Sequence, residues 1–235
     1  MALVEKIATG LLCVAATAVA VAVVHREFGS RTVAVRIAPE RMEELGNGGH
    51  SLGLPGAPLK VTVFTDIECP FCARFHRTLM ASSAQRSADF EISYRHYPLT
   101  GHKNARKGAV ALECAASQGR FEPLLSKFFE GQQEVAKWSL DHADGWVRYA
   151  AEAGVPDTIA FRECMVGESH ADRIEHDMAL ASMLGLAATP MILVGDRKFT
   201  GALDEAAFDA NLSRELRVRT WPYFLKRLAD LAGSW

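Results

Sequence analysis

The stretch Leu59-Lys60-Val61-Thr62-Val63-Phe64-Thr65-Asp66-Ile67-Glu68-Cys69-Pro70-Phe71-Cys72 decides how this chain reads. Leu59 to Thr65 has the composition of a central strand, apolar apart from Lys60, Thr62 and the terminal Thr65, and it ends just before a Cys-x-x-Cys that opens a helix. That context places Cys69 at a helix N-terminus, where backbone N–H groups lack partners and the positive end of the macrodipole favours thiolate over thiol. The thiolate is the attacking species in disulfide exchange, so position and reactivity agree. Pro70 falls at the first helical position, where its missing N–H costs nothing and its fixed φ suits the helix. Cys72, nearly one turn further in, is the more buried, resolving thiol.

A Cys-x-x-Cys also occurs in structural zinc sites, which normally use four ligands. The other cysteines, Cys13, Cys114 and Cys164, form no second close-spaced pair. His76, one turn beyond Cys72, leaves a three-ligand site with Cys69 and Cys72 as a minor alternative. The reading adopted is no bound metal and no cofactor.

Outward from this stretch, Phe71, Phe75 and Leu79 recur four apart along a helix from Pro70 to about Ala84 and form a core stripe. Phe90, Ile92 and Tyr94 alternate with Glu91, Ser93 and Arg95, which predicts a second strand and a right-handed strand-helix-strand unit. Residues 98–188 are helically patterned. Phe121, Leu124, Leu125, Phe128 and Phe129 make one apolar stripe, and Ile174, Met178, Ala181 and Gly185 another. Strands Met191 to Val194 and Arg197 to Thr200 follow around a Gly195-Asp196 turn, then a helix from Asp204. Upstream, Arg31 to Ala38 reads as a short edge strand and Pro39 to Ala57 as linker and loop.

These residues resemble a known family, the DsbA-like thioredoxin-fold proteins. The likeness rests on Gly53-Leu54-Pro55-Gly56-Ala57-Pro58 leading into Val61 to Asp66, on Cys69-Pro70-Phe71-Cys72, and on Thr189-Pro190 before the apolar strand Met191 to Val194. It covers about Ser51 to Leu212. The resemblance implies an α/β thioredoxin fold interrupted by a helical subdomain. It also implies that Pro190 is cis and lies against the active-site disulfide, with Thr189 contacting an extended substrate; Pro70 and Phe71 join them as substrate-binding residues. Phe71 stands where the best-known strongly oxidising member carries a histidine, which removes one source of thiolate stabilisation and leaves the direction of electron flow open. Asp66 and Glu68 read as polar loop residues beside the site, with proton transfer to or from Cys72 as the other role. His96 and His102 read as local hydrogen-bonding groups.

Cys114 and Cys164 fall on separate predicted helices of the insertion and are read as a structural disulfide, as similar pairs in some family members imply; two buried free thiols are the alternative. The resulting organisation is a signal anchor or signal peptide (1–25), an N-terminal strand and linker (26–57), the thioredoxin first half (58–97), the helical insertion (98–188), the thioredoxin second half (189–215) and a helical tail (216–235).

The N-terminal run Ile7 to Val24 is uncharged and long enough to span a bilayer, while Ala18-Val19-Ala20 offers a cleavage pattern. Lys6 precedes it and Arg26, Arg31 and Arg36 follow, so the positive-inside rule does not favour export, which is argued instead from the cysteine chemistry. The expected location is extracytoplasmic, in the periplasm or cell envelope, with the membrane held through residues 7–24. With 235 residues, 49% apolar and 23% charged, and a net charge of −2, the chain is globular. It has no basic patch with interleaved aromatics and no phosphate-binding glycine loop, and nucleic-acid partners are set aside. The expected activity is thiol:disulfide oxidoreduction on cysteine-containing proteins, with a membrane redox partner resetting the pair. The alternative is a non-catalytic peptide-binding or chaperone module whose cysteine pair is structural.

Overall fold

The computed structural model describes residues 34–46, 48–139, 142–167 and 170–232. The Ile7 to Val24 run and Cys13 lie outside them, and among the described residues no helix is long and apolar enough to cross a membrane. A six-stranded mixed sheet runs in the order β1-β6-β5-β3-β4-β2. Its centre is β3 (Leu59–Thr65), parallel to β4 (Phe90–His96) and antiparallel to β5 (Met191–Val194). Strand β6 (Arg197–Thr200) pairs with β5 around Gly195, whose φ of 62° is the left-handed conformation that a tight hairpin turn requires. Strands β1 (Val35–Arg36) and β2 (His50–Leu52) close the two edges.

Strand periodicity puts alternate side chains on opposite faces, and both faces are covered. Val61, Val63, Ile192 and Val194 join the larger core, against Phe75 and Leu79 of α2 (Pro70–Arg86) and Phe208 and Leu212 of the C-terminal helix. Phe64, Met191 and Leu193 join a second core with Leu45 of α1 (Pro39–Leu45) and Leu180 and Leu184. The insertion comprises α3 (Ala105–Ala116), α4 (Phe121–Glu130), the short α5 (Gln132–Val135), α6 (Ala143–Glu152), α7 (Thr158–Gly167) and α8 (Ala171–Met183). The aromatic stripe of α4 is wholly buried, as its spacing predicts. Along α8 the buried face is Ile174, Asp177, Leu180 and Ala181, whereas Met178 is half-buried and Gly185 lies beyond the helix end.

Four expectations need correction. The segment read as linker and loop contains α1 and β2: Pro39 starts a helix whose Met42 and Leu45 pack on the second core, and β2 adds an edge to β4. Arg95 and Ser93, placed by alternation on a polar face, are buried because α1 and α8 cover it. There Arg95 donates to Asp177 at 2.5 Å and to the Leu45 carbonyl at 2.5 Å, while Asp177 also accepts the His96 N–H at 3.0 Å. Phe71 leaves the core stripe and is exposed, since it sits in the first turn of α2 ahead of the packed face. Finally, α9 (Glu205–Ala232) runs on through Trp221-Pro222, so no break separates a tail helix from the second half of the sheet domain.

Candidate active site

Cys69 is the N-cap of α2, with extended φ and ψ of −76° and 116°, and Pro70 opens the helix. The Cys69 carbonyl accepts the N–H groups of Cys72 and Ala73 at 3.0 and 3.2 Å, so the first turn closes directly on the cysteine pair. Both cysteines are free thiols, and both are buried, Cys69 being 4% and Cys72 2% exposed. The peptide bond between Thr189 and Pro190 is cis, and the Cys69 thiol donates to the Thr189 carbonyl at 3.4 Å. The sequence-predicted Cys69, Cys72, Thr189 and Pro70 therefore meet across 120 residues of chain, with Pro190 beside them. Phe71 is 53% exposed, and the Arg74 guanidinium lies 5.1 Å from its ring centre.

The electrostatics separate the two sulfurs. Hydrogen bonding from the Cys72 side chain lowers the Cys69 pKa from 9.0 to about 6 against the opposing effect of burial, with Thr189 and the backbone of Cys72 and Phe71 adding to it. Burial pushes Cys72 well above the ordinary range, and the neighbouring Cys69 charge pushes the same way. At neutral pH the pair is thus one thiolate and one thiol, which is the asymmetry that disulfide exchange uses.

The loop that carries Cys69 is tied to the insertion at several points that spacing does not reveal. Gln132 of α5 donates from Nε2 to the carbonyls of Ile67 and Cys69 at 2.7 and 2.9 Å. Glu68 accepts the Asn104 N–H at 2.6 Å, and Gly108 of α3 lies so close that a Cβ there would meet Ile67 Cδ1 at 2.1 Å. Asp66 is buried and serves the loop as an acceptor, taking the N–H groups of Glu68 and Leu99 at 2.8 Å and pairing with His102 Nδ1 at 2.8 Å. Burial disfavours the His102 charge, but the bond to Asp66 and nearby negative charge outweigh it and raise the pKa. Among the described residues Cys69, Cys72 and His76 do not converge as a ligand group. The ring nitrogens of His76 meet Tyr94 at 2.6 Å and Ser126 at 2.8 Å, and burial holds its pKa down at about 4. It cannot reach the cysteines while so engaged, so the three-ligand alternative has no geometry here. His96 pairs with Glu113 at 2.7 Å. Cys114 on α3 and Cys164 on α7 are disulfide-bonded, with Cα atoms 5.8 Å apart.

A family model described as thioredoxin matches residues 46–214, most of the chain and all of the site. The chain belongs to the thioredoxin family. Among solved structures it is similar to BdbD from Bacillus subtilis in the oxidised form, with a TM-score of 0.66 and 21% identity over 80% of this chain and 100% of that one. It is also similar to a periplasmic thioredoxin-like protein from Salmonella enterica serovar Typhimurium, with a TM-score of 0.62 and 20% identity over 77% and 99% of the two chains. At those identities the fold is what is shared, and it is the thioredoxin fold with a helical insertion that the resemblance implies. The Na(+)/H(+) antiporter NhaA 1 of Mycolicibacterium gilvum is 32% identical over 160 residues, 67% of this chain and 25% of that protein. The chain spans about a quarter of the length of the curated relatives it matches. Ion transport belongs to the whole relative and is not carried over by the matching quarter.

Proposed function

We propose that this thioredoxin-family chain is a thiol:disulfide oxidoreductase that acts on protein cysteines through Cys69 and Cys72 and preferentially withdraws electrons from them. In the forward cycle a substrate thiolate attacks Cys69 Sγ of the oxidised pair, the Cys69–Cys72 bond breaks, and Cys72 leaves with the electron pair and takes up a proton. A second substrate thiolate then attacks the substrate sulfur of the mixed disulfide. The substrate disulfide forms, and Cys69 leaves as a thiolate. Two electrons pass from substrate to protein, and a separate membrane redox partner takes them from the Cys69–Cys72 dithiol. Thr189 and Pro190 receive the extended substrate beside Cys69, and exposed Phe71 offers it an apolar contact.

The observation that carries the reading is the placement of Cys69 at the head of α2 against Thr189, with its pKa held down at about 6. A thiolate that is stable at neutral pH stabilises the reduced pair, which favours the oxidising direction. The Cys114–Cys164 disulfide supports an extracytoplasmic location, since such bonds persist in oxidising compartments. The likeness to a periplasmic protein supports it too. Residues 7–24 would supply the attachment to the membrane.

Cys72→Ser tests the assignment. It is expected to accumulate mixed disulfides between Cys69 and client proteins, whereas Cys69→Ser accumulates none and abolishes exchange. Trapping through Cys72 in a Cys69→Ala protein would reverse the roles, and no trapping by either variant would leave the peptide-binding module.

A further inference from the structure

Two strands and one helix bring three metal-ligating side chains together away from the cysteine pair. In the register of β2 with β4, His50 stands opposite Tyr94, and His96 is two residues further along β4, so both histidines project from the same face of the sheet. Glu113 of α3 meets them there. Its Oε1 is 2.5 Å from His50 Nε2 and 2.7 Å from His96 Nε2, and the three ligand atoms all lie within 4.8 Å of one another. Each ligand is also held from behind. The His50 ring stacks on Phe121 with centres 3.9 Å and planes 18° apart, and the His96 ring meets the same phenylalanine edge-on at 5.9 Å. Gly49, at a φ of 104°, lies where a Cβ would stand 2.2 Å from the Ser93 hydroxyl, which fixes the course of the chain into His50. Glu113 precedes Cys114, whose bond to Cys164 ties α3 to α7. His96 and Glu113 are buried, and the half-buried His50 gives the group its access to solvent.

Hydrogen bonding alone accounts for the contacts but not for the charge. Arg173 Nε comes within 3.3 Å of Glu113 Oε1, yet its buried N–H makes no hydrogen bond, so the neutralisation of this buried carboxylate is incomplete. A carboxylate in that state, flanked by two imidazole nitrogens, is the complement of a divalent cation. Two imidazoles and one carboxylate form a ligand set that Zn²⁺ accepts with a fourth position left to water, whereas Mg²⁺ and Ca²⁺ take oxygen ligands. At ligand distances of about 2.0–2.2 Å the ligand atoms around a tetrahedral ion stand about 3.3–3.5 Å apart, so the two nitrogens need to draw back from Oε1 by about 1 Å or less.

We infer that His50, His96 and Glu113 bind a divalent transition-metal ion of the zinc class, with water in the fourth position, and that the ion clips edge strand β2 to α3. Each imidazole gives its Nε2 lone pair to the ion and keeps its proton on Nδ1. Arg173, whose side chain is 37% exposed, turns outward to solvent. The site shares no residue with Cys69 and Cys72, and the ion takes no part in disulfide exchange.

The test uses the full chain with Cys69 and Cys72 oxidised and any remaining thiol alkylated, so that no sulfur competes for metal. Calorimetric titration with zinc chloride is expected to show one equivalent bound per chain, and magnesium chloride none. The His50 and His96 ring nitrogen signals in nuclear magnetic resonance should move together as that equivalent is filled. Zinc should also raise the unfolding temperature, since it binds only the folded chain's assembled site. His50→Phe keeps an aromatic ring on Phe121 and removes one ligand. It is expected to weaken zinc by about a hundredfold or more, at or beyond the cost of losing a supporting contact, while the metal-free unfolding temperature stays within a few degrees of the parent. Arg173→Met removes a competing positive charge and should bind zinc at least as tightly as the parent. No zinc binding at submillimolar concentration, full affinity in His50→Phe, ring signals that stay still as zinc binds, or loss of binding in Arg173→Met would each overturn the inference.

Discussion

The two cysteine pairs of this chain are both largely removed from water, yet the surroundings give them opposite chemistry. Cys114 is fully buried inside α3 and is bonded to Cys164 across the packed helices of the insertion. Cys69 is almost as buried, but it sits at a helix N-terminus with polar neighbours that stabilise its anion. Burial alone raises a thiol pKa, as it does for Cys72. What distinguishes the reactive sulfur is therefore the supply of hydrogen bonds to its charged form, not its accessibility.

The largest effect that separates the pairs is on exchange itself. Removing Cys69 is expected to abolish dithiol-disulfide exchange, whereas replacing both Cys114 and Cys164 by Ala leaves the rate and the Cys69–Cys72 potential nearly unchanged. The same double replacement acts on stability instead. The bond closes a loop with a sequence separation of 50, so on the chain-entropy account its loss costs about 4 kcal/mol of folding free energy. Chemical denaturation of the parent and the double variant measures this. A large shift in the active-site potential, or electron exchange between the pairs, would mean that they form a relay and that the contrast drawn here is wrong.

How much of this contrast could be seen in the chain follows from the range of each signal. The Cys69-Pro70-Phe71-Cys72 helix start, β3 and β4, Thr189-Pro190 and the α4 stripe are local patterns, and each is visible within a dozen residues. The second core is not. Nothing in the alternation of Phe90 to Arg95 tells which layer covers Ser93 and Arg95, because α1 and α8 come from segments 50 residues upstream and 82 downstream of Arg95. Gln132 was silent for the same reason: it is a polar residue in a short helix, and only the tertiary fold brings it to the Cys69 carbonyl. Phe71 shares the spacing of the α2 stripe yet lies outside it, because spacing alone does not show where the first turn of a helix emerges from the core.

A smaller effect distinguishes the pairs through pH. Cys69 titrates near 6 in the folded dithiol protein, against an ordinary 9.0. Because the folded value is the lower one, the stability it contributes is fully present above about 9 and is lost as pH falls through about 6. The oxidised protein has no such titration. The stability of the dithiol form relative to the disulfide form should therefore decline as pH falls from 9 to 6, and alkylation of Cys69 should show a midpoint near 6. Cys114 and Cys164, held as a disulfide, contribute nothing to either curve. A midpoint near 9 would place Cys69 with ordinary thiols.

Gln132 tests whether the insertion supports the reactive pair as well as carrying the structural one. Its side chain satisfies two loop carbonyls, each bond being worth about 1 kcal/mol. Gln132→Ala should lower stability by about 1–2 kcal/mol and shift the Cys69 pKa and the pair's potential, whereas Gln132→Glu, which cannot donate when ionised, should reproduce the shift. A loss of stability with unmoved pKa and potential would make Gln132 a packing residue only.

The smallest predicted effect concerns position 71, which tunes the reactive pair without touching the structural one. Phe71 lies between the cysteines with its side chain exposed, so the ring adds neither charge nor hydrogen bond to the thiolate and is engaged by Arg74 instead. The helix terminus and the Cys72 hydrogen bonds push the pair toward oxidant behaviour, while the absence of a polar side chain at position 71 limits it. The potential should accordingly fall between about −120 mV, that of a strong periplasmic oxidant, and about −270 mV, that of thioredoxin. Phe71→His places a hydrogen-bonding ring next to Cys69, and one added bond to a charged group in a half-exposed setting is worth about 1.5 kcal/mol. The substitution should lower the Cys69 pKa further and raise the potential by about 30 mV. Glutathione equilibration of both proteins measures it. A parent potential well below −270 mV, or a histidine that leaves the thiol pKa unmoved, would show that thiolate stabilisation does not set the redox poise of this pair.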